Sequence, residues 1–353
     1  MSSTQSATFS AQCQAFFQRK GVSLSPRTYF IHAMSFMALG LFSSLLIGSI
    51  LNTVGIKFGI PLFTETLWPL AKQMTGPAIA VAVAFALKAP PLVMFSVTTV
   101  GAAGAMLGGP VGAFVSALIA TELGKLVANE TKVDILVAPA VTMISGVLVG
   151  TLIGPYISQF MTSLGDLIMS ATLLQPFLMG VVVAVLMGMA LTLPISSAAI
   201  AIMLSLNGLA AGAATVGCCA QMVGFAVMSF RENRWAGVMA QGLGTSMLQM
   251  PNIIKNYKIW IPTILTSAIL GPVATTIFAV ENTPLGAGMG TSGFVGQIQS
   301  VIALEAAGWD SMTMYGVIVL LHFVLPALLT LLFSEMFRKA GWIKEGDLKL
   351  NLQ

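Results

Sequence analysis

Residues 312–333 read MTMYGVIVLLHFVLPALLTLLF, a stretch without Asp, Glu, Lys or Arg. At about 1.5 Å of rise per residue it makes a helix roughly 33 Å long, enough to cross the ~30 Å hydrocarbon core of a bilayer. Basic residues follow it at Arg338, Lys339, Lys344 and Lys349. Tyr29–Leu51 has the mirror arrangement, with Arg19, Lys20 and Arg27 in front of it. Lys and Arg gather on the cytoplasmic side of membrane spans. Both termini are therefore expected in the cytoplasm, with an even number of crossings between them.

Further apolar runs lie between these two. Pro77–Leu87 is closed by Lys88 and Pro90-Pro91; Leu92–Ile119 is too long and glycine-rich for one simple span, and Gly108-Gly109-Pro110 breaks it. Ile135–Ile157, Gln175–Leu193, Ala198–Phe230 and Ile259–Val280 read as spans, Ala236–Met250 as a shorter one, and Met161–Ser170 as an amphipathic interfacial segment. The expectation is an all-α polytopic membrane protein with about ten transmembrane helices (eight as the alternative) and one or two re-entrant hairpins. Residues 1–27 are expected to form a cytoplasmic tail or interfacial helix, 28–337 the transmembrane domain, and 338–353 a cytoplasmic tail. Residues 1–18 are polar and lack the pattern of a cleavable signal.

Composition agrees. Hydrophobic residues are 56% of the 353 and charged residues 8%; mean hydropathy is +0.91. Soluble domains carry about 25% charged residues, so most of this surface must face lipid. The net charge is +4, but the basic residues sit at the ends of apolar runs rather than in one patch, which excludes a nucleic-acid partner. Cys13, Cys218 and Cys219 form no CxxC, and His32 and His322 are the only histidines. No metal, cofactor or disulfide framework is expected.

Two half-chains show a faint common order. Lys88-Ala89-Pro90-Pro91, Gly101–Gly104, Val137-Ala138-Pro139 and Gly154-Pro155 are followed by Leu193-Pro194, Gly208–Gly212, Trp260-Ile261-Pro262 and Gly271-Pro272. Internal duplication is a common plan for secondary transporters; Gly/Ala/Pro-rich membrane sequence also looks repetitive without it.

Polar groups inside apolar sequence are costly unless partnered, so they mark candidate sites. Gln241, Thr245 and Gln249 share a helical face, with Asn252 beyond Pro251. Glu281 precedes a glycine-rich stretch, 286–293, containing Thr291 and Ser292, with Gln297 after it. It lacks the GKS/GKT ending of a nucleotide-binding loop. Asn207 and Gln221 flank a small-residue segment. These amides and hydroxyls suit a neutral hydroxylated ligand, with Glu281 as acceptor; they equally suit hydrogen bonding between helices. His322 reads either as a proton relay or as a packed, hydrogen-bonded ring.

Four segments carry a resemblance: 193–200 (LPISSAAI), 217–225 (GCCAQMVGF), 241–252 (QGLGTSMLQMPN) and 286–293 (GAGMGTSG). Through them residues 25–340 resemble the membrane-only enzyme IIC family of the bacterial phosphotransferase system. The resemblance is to its type-2 IIC-like group, which includes a clostridial regulator of perfringolysin production. The resemblance implies a homodimer in the bacterial cytoplasmic membrane, about ten helices per subunit, re-entrant hairpins and a sugar site in each protomer. In sugar-transporting members a hairpin glutamate and a histidine hold the sugar. This chain lacks the glycine-isoleucine-threonine-glutamate signature, and Glu281 matches that glutamate by position alone. No IIA or IIB domain is fused, so phosphoryl transfer by this chain alone is not expected.

The leading expectation is thus a permease, not an enzyme, that moves a small polar solute, sugar or sugar-like, by alternating access. Separate phosphotransfer proteins and membrane lipid are its other expected partners. The alternatives are a membrane sensor or regulator that keeps the IIC fold, and an exporter of an amphipathic compound.

Overall fold

A computed structural model describes residues 15–22 and 25–350. Cys13 and most of the expected N-terminal tail lie outside the described residues. The described chain is helical, with one isolated bridge between Gly208 and Asn282. In order the helices are α1 (Thr28–Ile56), α2 (Trp68–Gln73), α3 (Thr75–Ala86), α4 (Pro91–Val127) and α5 (Asp134–Thr172). Then come α6 (Pro176–Thr192), α7 (Ser197–Met203), α8 (Gly208–Met228), α9 (Phe230–Met239) and α10 (Met250–Lys255). The last four are α11 (Tyr257–Ile277), α12 (Pro284–Ala287), α13 (Val295–Ala306) and α14 (Ser311–Lys339).

The expected count of about ten transmembrane helices is corrected here. Among the described residues, 6 helices are long and apolar enough to cross a membrane: α1, α4, α5, α8, α11 and α14. Hydropathy had assigned one span to each apolar run, and several runs do not become one. The run 77–87 becomes α3, 12 residues long, about 18 Å against a ~30 Å core. The run 175–193 becomes α6, 17 residues started by Pro176. Residues 161–170 are the uninterrupted continuation of α5 rather than a separate interfacial helix. The run 198–230 is cut by non-helical residues after the 7-residue α7, with Ser205 at φ 51°. The run 236–250 dissolves into a π turn and a 3-10 turn. The segments paired in the suggested duplication also differ in length: Gly101–Gly104 lie in the 37-residue α4 and Gly208–Gly212 in the 21-residue α8.

The chain divides into two compact units, one of residues 1–41 and 73–158, the other of 42–72 and 159–353. In the first, the expected break in α4 is present: Gly108 and Gly109 are non-helical, and Gly109 (φ 60°, ψ −154°) takes a conformation open to glycine. The helix folds back there. A Cβ on Gly124 would meet the Val93 side chain at 2.8 Å, and one on Gly104 would meet Gly112 O at 2.7 Å. The end of α4 and the turn after it hold residues 19–21, through Lys125 Nζ to Gly21 O at 2.7 Å and Arg19 to Glu130 at 2.8 Å.

The second unit is built around α8, whose side chains are almost all buried. Its small residues let neighbours approach backbone to backbone: a Cβ on Gly217 would lie 2.0 Å from Ala184 O of α6. Hydrogen bonds meet part of the remaining polar demand, while Gln221 Nε2 stays buried without a partner among the described residues. Gln221 Oε1 accepts from Trp260 Nε1 (2.9 Å), Thr263 Oγ1 (2.9 Å) and Thr192 Oγ1 (3.2 Å). Cys218 and Cys219 are free thiols buried in the same helix. Residues 342–350 lie along this unit as a strap, with Ile343 and Leu348 buried in a cluster with Phe225, Met228, Ile253 and Ile259.

Candidate functional site

The second unit carries a partly open cavity of about 540 Å³. Its walls come from the C-terminal half of α1, from α2, α13 and α14, and from residues 196–202 and 285–289. That volume lies within the ~300–1,000 Å³ range of small-molecule sites. The lining is mainly Leu, Ile, Val, Met and Trp, with Ser49, Asn52, Ser196, Gln297, Gln299 and Tyr315 as polar points. Lys72 is the one charged residue among them, and no carboxylate lines the cavity.

Gln297 is the chemically distinctive wall residue. The approach to it is a sharp turn: Gly290 and Gly293 have φ 53°, and Phe294, the residue before α13, has φ 57°. This turn sets Gln297 in the first turn of α13 and buries it to 7% exposure. Its amide Nε2 lies 3.1 Å from His322 Nδ1 and 3.4 Å from Cys219 Sγ. With the amide donating, Nδ1 accepts and the ring proton sits on Nε2. His322 is fully buried in a π turn, Leu320–Val324, immediately before Pro326. Gln297 Oε1, His322 Nε2 and Ser292 Oγ are all buried without a hydrogen-bond partner among the described residues. Buried polar atoms rarely remain unpaired unless a ligand, ion or water serves them.

The residues singled out from sequence scatter among three settings. Gln297 lines the cavity, and Ser292 and Thr291 occupy the loop leading to it. Thr291 Oγ1 donates to Gly242 O, which brings the 241–252 and 281–297 stretches into contact at one point. Gln241, Gln249 and Asn252 form an amide ladder directed at the strap. Gln249 Nε2 donates to Gln241 Oε1 (2.8 Å) and Leu348 O (3.0 Å); Asn252 Nδ2 donates to Gln249 Oε1 (2.9 Å) and Lys349 O (2.9 Å). Thr245 caps the 3-10 turn by accepting from Met247 N at 3.1 Å. Glu281 is half-buried and outside the cavity lining, and Asn207 is exposed ahead of α8.

Asn282, in the same polar stretch as Glu281, was not among the expected site residues. It is buried, and its Nδ2 reaches Thr215 Oγ1 (2.6 Å), Ser300 Oγ (2.9 Å) and Gly296 O (3.1 Å), while its backbone N–H donates to Gly208 O (3.2 Å). One side chain thus ties α8 to α13 and fixes the turn beside Gln297. Its position before Thr283-Pro284, a capped helix start, was the available signal. Gln299 shared the signal of Gln297, two residues before it, while Ser49, Asn52 and Tyr315 stand within runs that read as packing.

A second cavity, about 620 Å³, lies between α9, α14 and the strap. Its charges are largely consumed in pairs: Arg338 with Glu232 at 2.8 Å and Arg231 with Glu335 at 2.9 Å. Among the described residues no group of His, Cys, Asp and Glu is arranged to hold a metal ion.

No curated protein and no solved structure matches the chain. Residues 31–350 match the family described as "Phosphotransferase system, EIIC". Six apolar helices of spanning length and a match over most of its residues give one conclusion: this chain belongs to the phosphotransferase system EIIC family.

Proposed function

We propose that the chain is an EIIC-type permease that takes a small hydroxyl-bearing solute, sugar or sugar-like, into the cavity beside Gln297 and moves it by alternating access. The observation that carries this reading is Gln297, which lines a ligand-sized cavity and whose Oε1 is buried without a hydrogen-bond partner among the described residues. A solute hydroxyl supplies the donor it lacks, and Ser292 Oγ and His322 Nε2–H are further hydrogen-bonding groups in the same neighbourhood. Glu281 is retained as a second contact on the approach loop. The proposal includes a homodimer in a bacterial cytoplasmic membrane, with cytoplasmic termini and the membrane domain bounded near residues 28 and 337. Separate phosphotransfer proteins are its partners.

A thermal-shift screen of purified protein in nanodiscs against sugars, polyols, amino acids and nucleosides identifies the solute, because a ligand of the native state raises its apparent stability. With that solute, Gln297→Leu and Glu281→Gln are compared. Gln297→Leu is expected to weaken binding by about tenfold or more, the cost of one buried hydrogen bond. Wild-type affinity in Gln297→Leu, with loss in Glu281→Gln, would move the site to the approach loop.

A further inference from the structure

We infer that the solute is an amphiphile without positive charge: one hydroxyl-bearing end on an apolar body, rather than a free polyol. The inference rests on the reading of the cavity as the solute site and narrows the chemistry of what enters it.

Three features carry it. The first is the balance of the wall. Ile56, Trp68, Ile202, Leu285, Val301 and Ile302 present hydrocarbon. A free sugar has hydroxyls on every edge and would leave most of them facing these side chains, without partners for the hydrogen bonds they made in water. The second is the placement of unmet hydrogen-bonding capacity. Among the lining residues the buried, unpartnered atom is Gln297 Oε1, and the other polar points are few (Asn52, Gln299 and Tyr315 among them), so only a few solute hydroxyls can be met. The third is charge. Lys72, one helical turn from Trp68, is the sole charged lining residue, and no carboxylate faces the cavity. An ammonium group would therefore meet a cation and no counter-ion. An aryl or alkyl glycoside, or a hydroxylated aromatic acid, has the required form.

The occupant is tested by protection of a cysteine in the cavity wall. Met289→Cys, in a Cys13→Ala background and in nanodiscs, is labelled with N-ethylmaleimide in the presence of phenyl β-glucoside, glucose or tyramine. Ile302→Cys serves as the second wall position should Met289→Cys fold poorly. Phenyl β-glucoside is expected to slow labelling about tenfold at concentrations where glucose and tyramine do not, and Gln297→Leu is expected to abolish that protection. Equal or better protection by glucose overturns the amphiphile and leaves the permease reading intact. Protection by tyramine overturns the charge argument. If none of the three protects and native mass spectrometry finds only a phospholipid bound, the cavity is a lipid site and both readings fall.

Discussion

Gln249 donates its side-chain amide to the backbone carbonyl of Leu348, 3.0 Å away and 99 residues later in the chain. Asn233 grips the same place from the other side, donating to Leu348 O at 2.8 Å and accepting from Leu350 N at 2.8 Å. Asn256 adds bonds to Trp342 O (3.0 Å) and the Asp347 carboxylate (2.8 Å). Leu348 itself is fully buried. A segment that charge and hydropathy present as a tail is a fastened part of the second unit.

Leu348→Ala removes the anchor of that strap. Truncating a fully buried leucine costs about 2–5 kcal/mol. The expected result is a lower apparent melting temperature and faster hydrogen exchange across residues 342–350, with exchange in α4 unchanged. Unchanged exchange in the strap would mean the amide ladder holds it without the apolar anchor.

Gln249→Ala separates fold from binding. It leaves Gln241 Oε1 buried without its donor, a loss of about 1–3 kcal/mol, while Leu348 O keeps Asn233. Stability is expected to fall by that order in denaturant titration, and solute affinity to stay within about twofold. Gln297→Leu should show the opposite pattern.

Gly217→Ala places a methyl 2.0 Å from the Ala184 carbonyl oxygen, where a backbone rather than a flexible side chain must yield. Overpacking of this kind costs about 1–3 kcal/mol or more. The variant is expected to express poorly or to lose its sharp thermal transition. Gly316→Ala, a position with nothing within 4 Å of the added carbon, is the control and should behave as wild type.

Asp310 caps α14 by accepting from Thr313 N at 3.0 Å and from the Thr313 hydroxyl at 3.1 Å. The backbone bond first, then the hydroxyl, holds its carboxyl below the ordinary aspartate value. A depressed folded-state pKa means the cap contributes fully above the unfolded pKa and is lost as pH falls through the folded one. Protection of the first-turn amides of α14 is expected to hold at neutral pH and to fall only in acid below the usual aspartate range. Asp310→Asn should make that protection pH-independent there.

Much of this was legible in the sequence, for reasons that also explain the rest. Residues 312–333 and 29–51 announce themselves because an uncharged helix of that length has one stable solvent. The number of crossings did not follow, since hydropathy reports what a run is made of and not whether it stops short, as in α3, or continues, as 161–170 does in α5. Gln297 was legible as a polar group in apolar sequence. Gln249 and Asn252 gave the identical signal, yet their amides hold the strap. Their partners lie 97–99 residues away, and no local pattern distinguishes an amide awaiting a ligand from one awaiting a distant carbonyl. Asn282 stands beside Glu281, and its partners Thr215 and Ser300 lie 67 and 18 residues away, beyond any local pattern.

The turn at Gly108-Gly109 bears on how membrane topology is to be mapped. Counted by length, α4 is one passage. Because Val93 lies against Gly124, the helix begins and ends at the same level, so the six helices of spanning length are not six single crossings. Reporters inserted after Lys88 and after Asn129 should therefore read the same compartment, and a residue that straightens the turn would invert every loop that follows it.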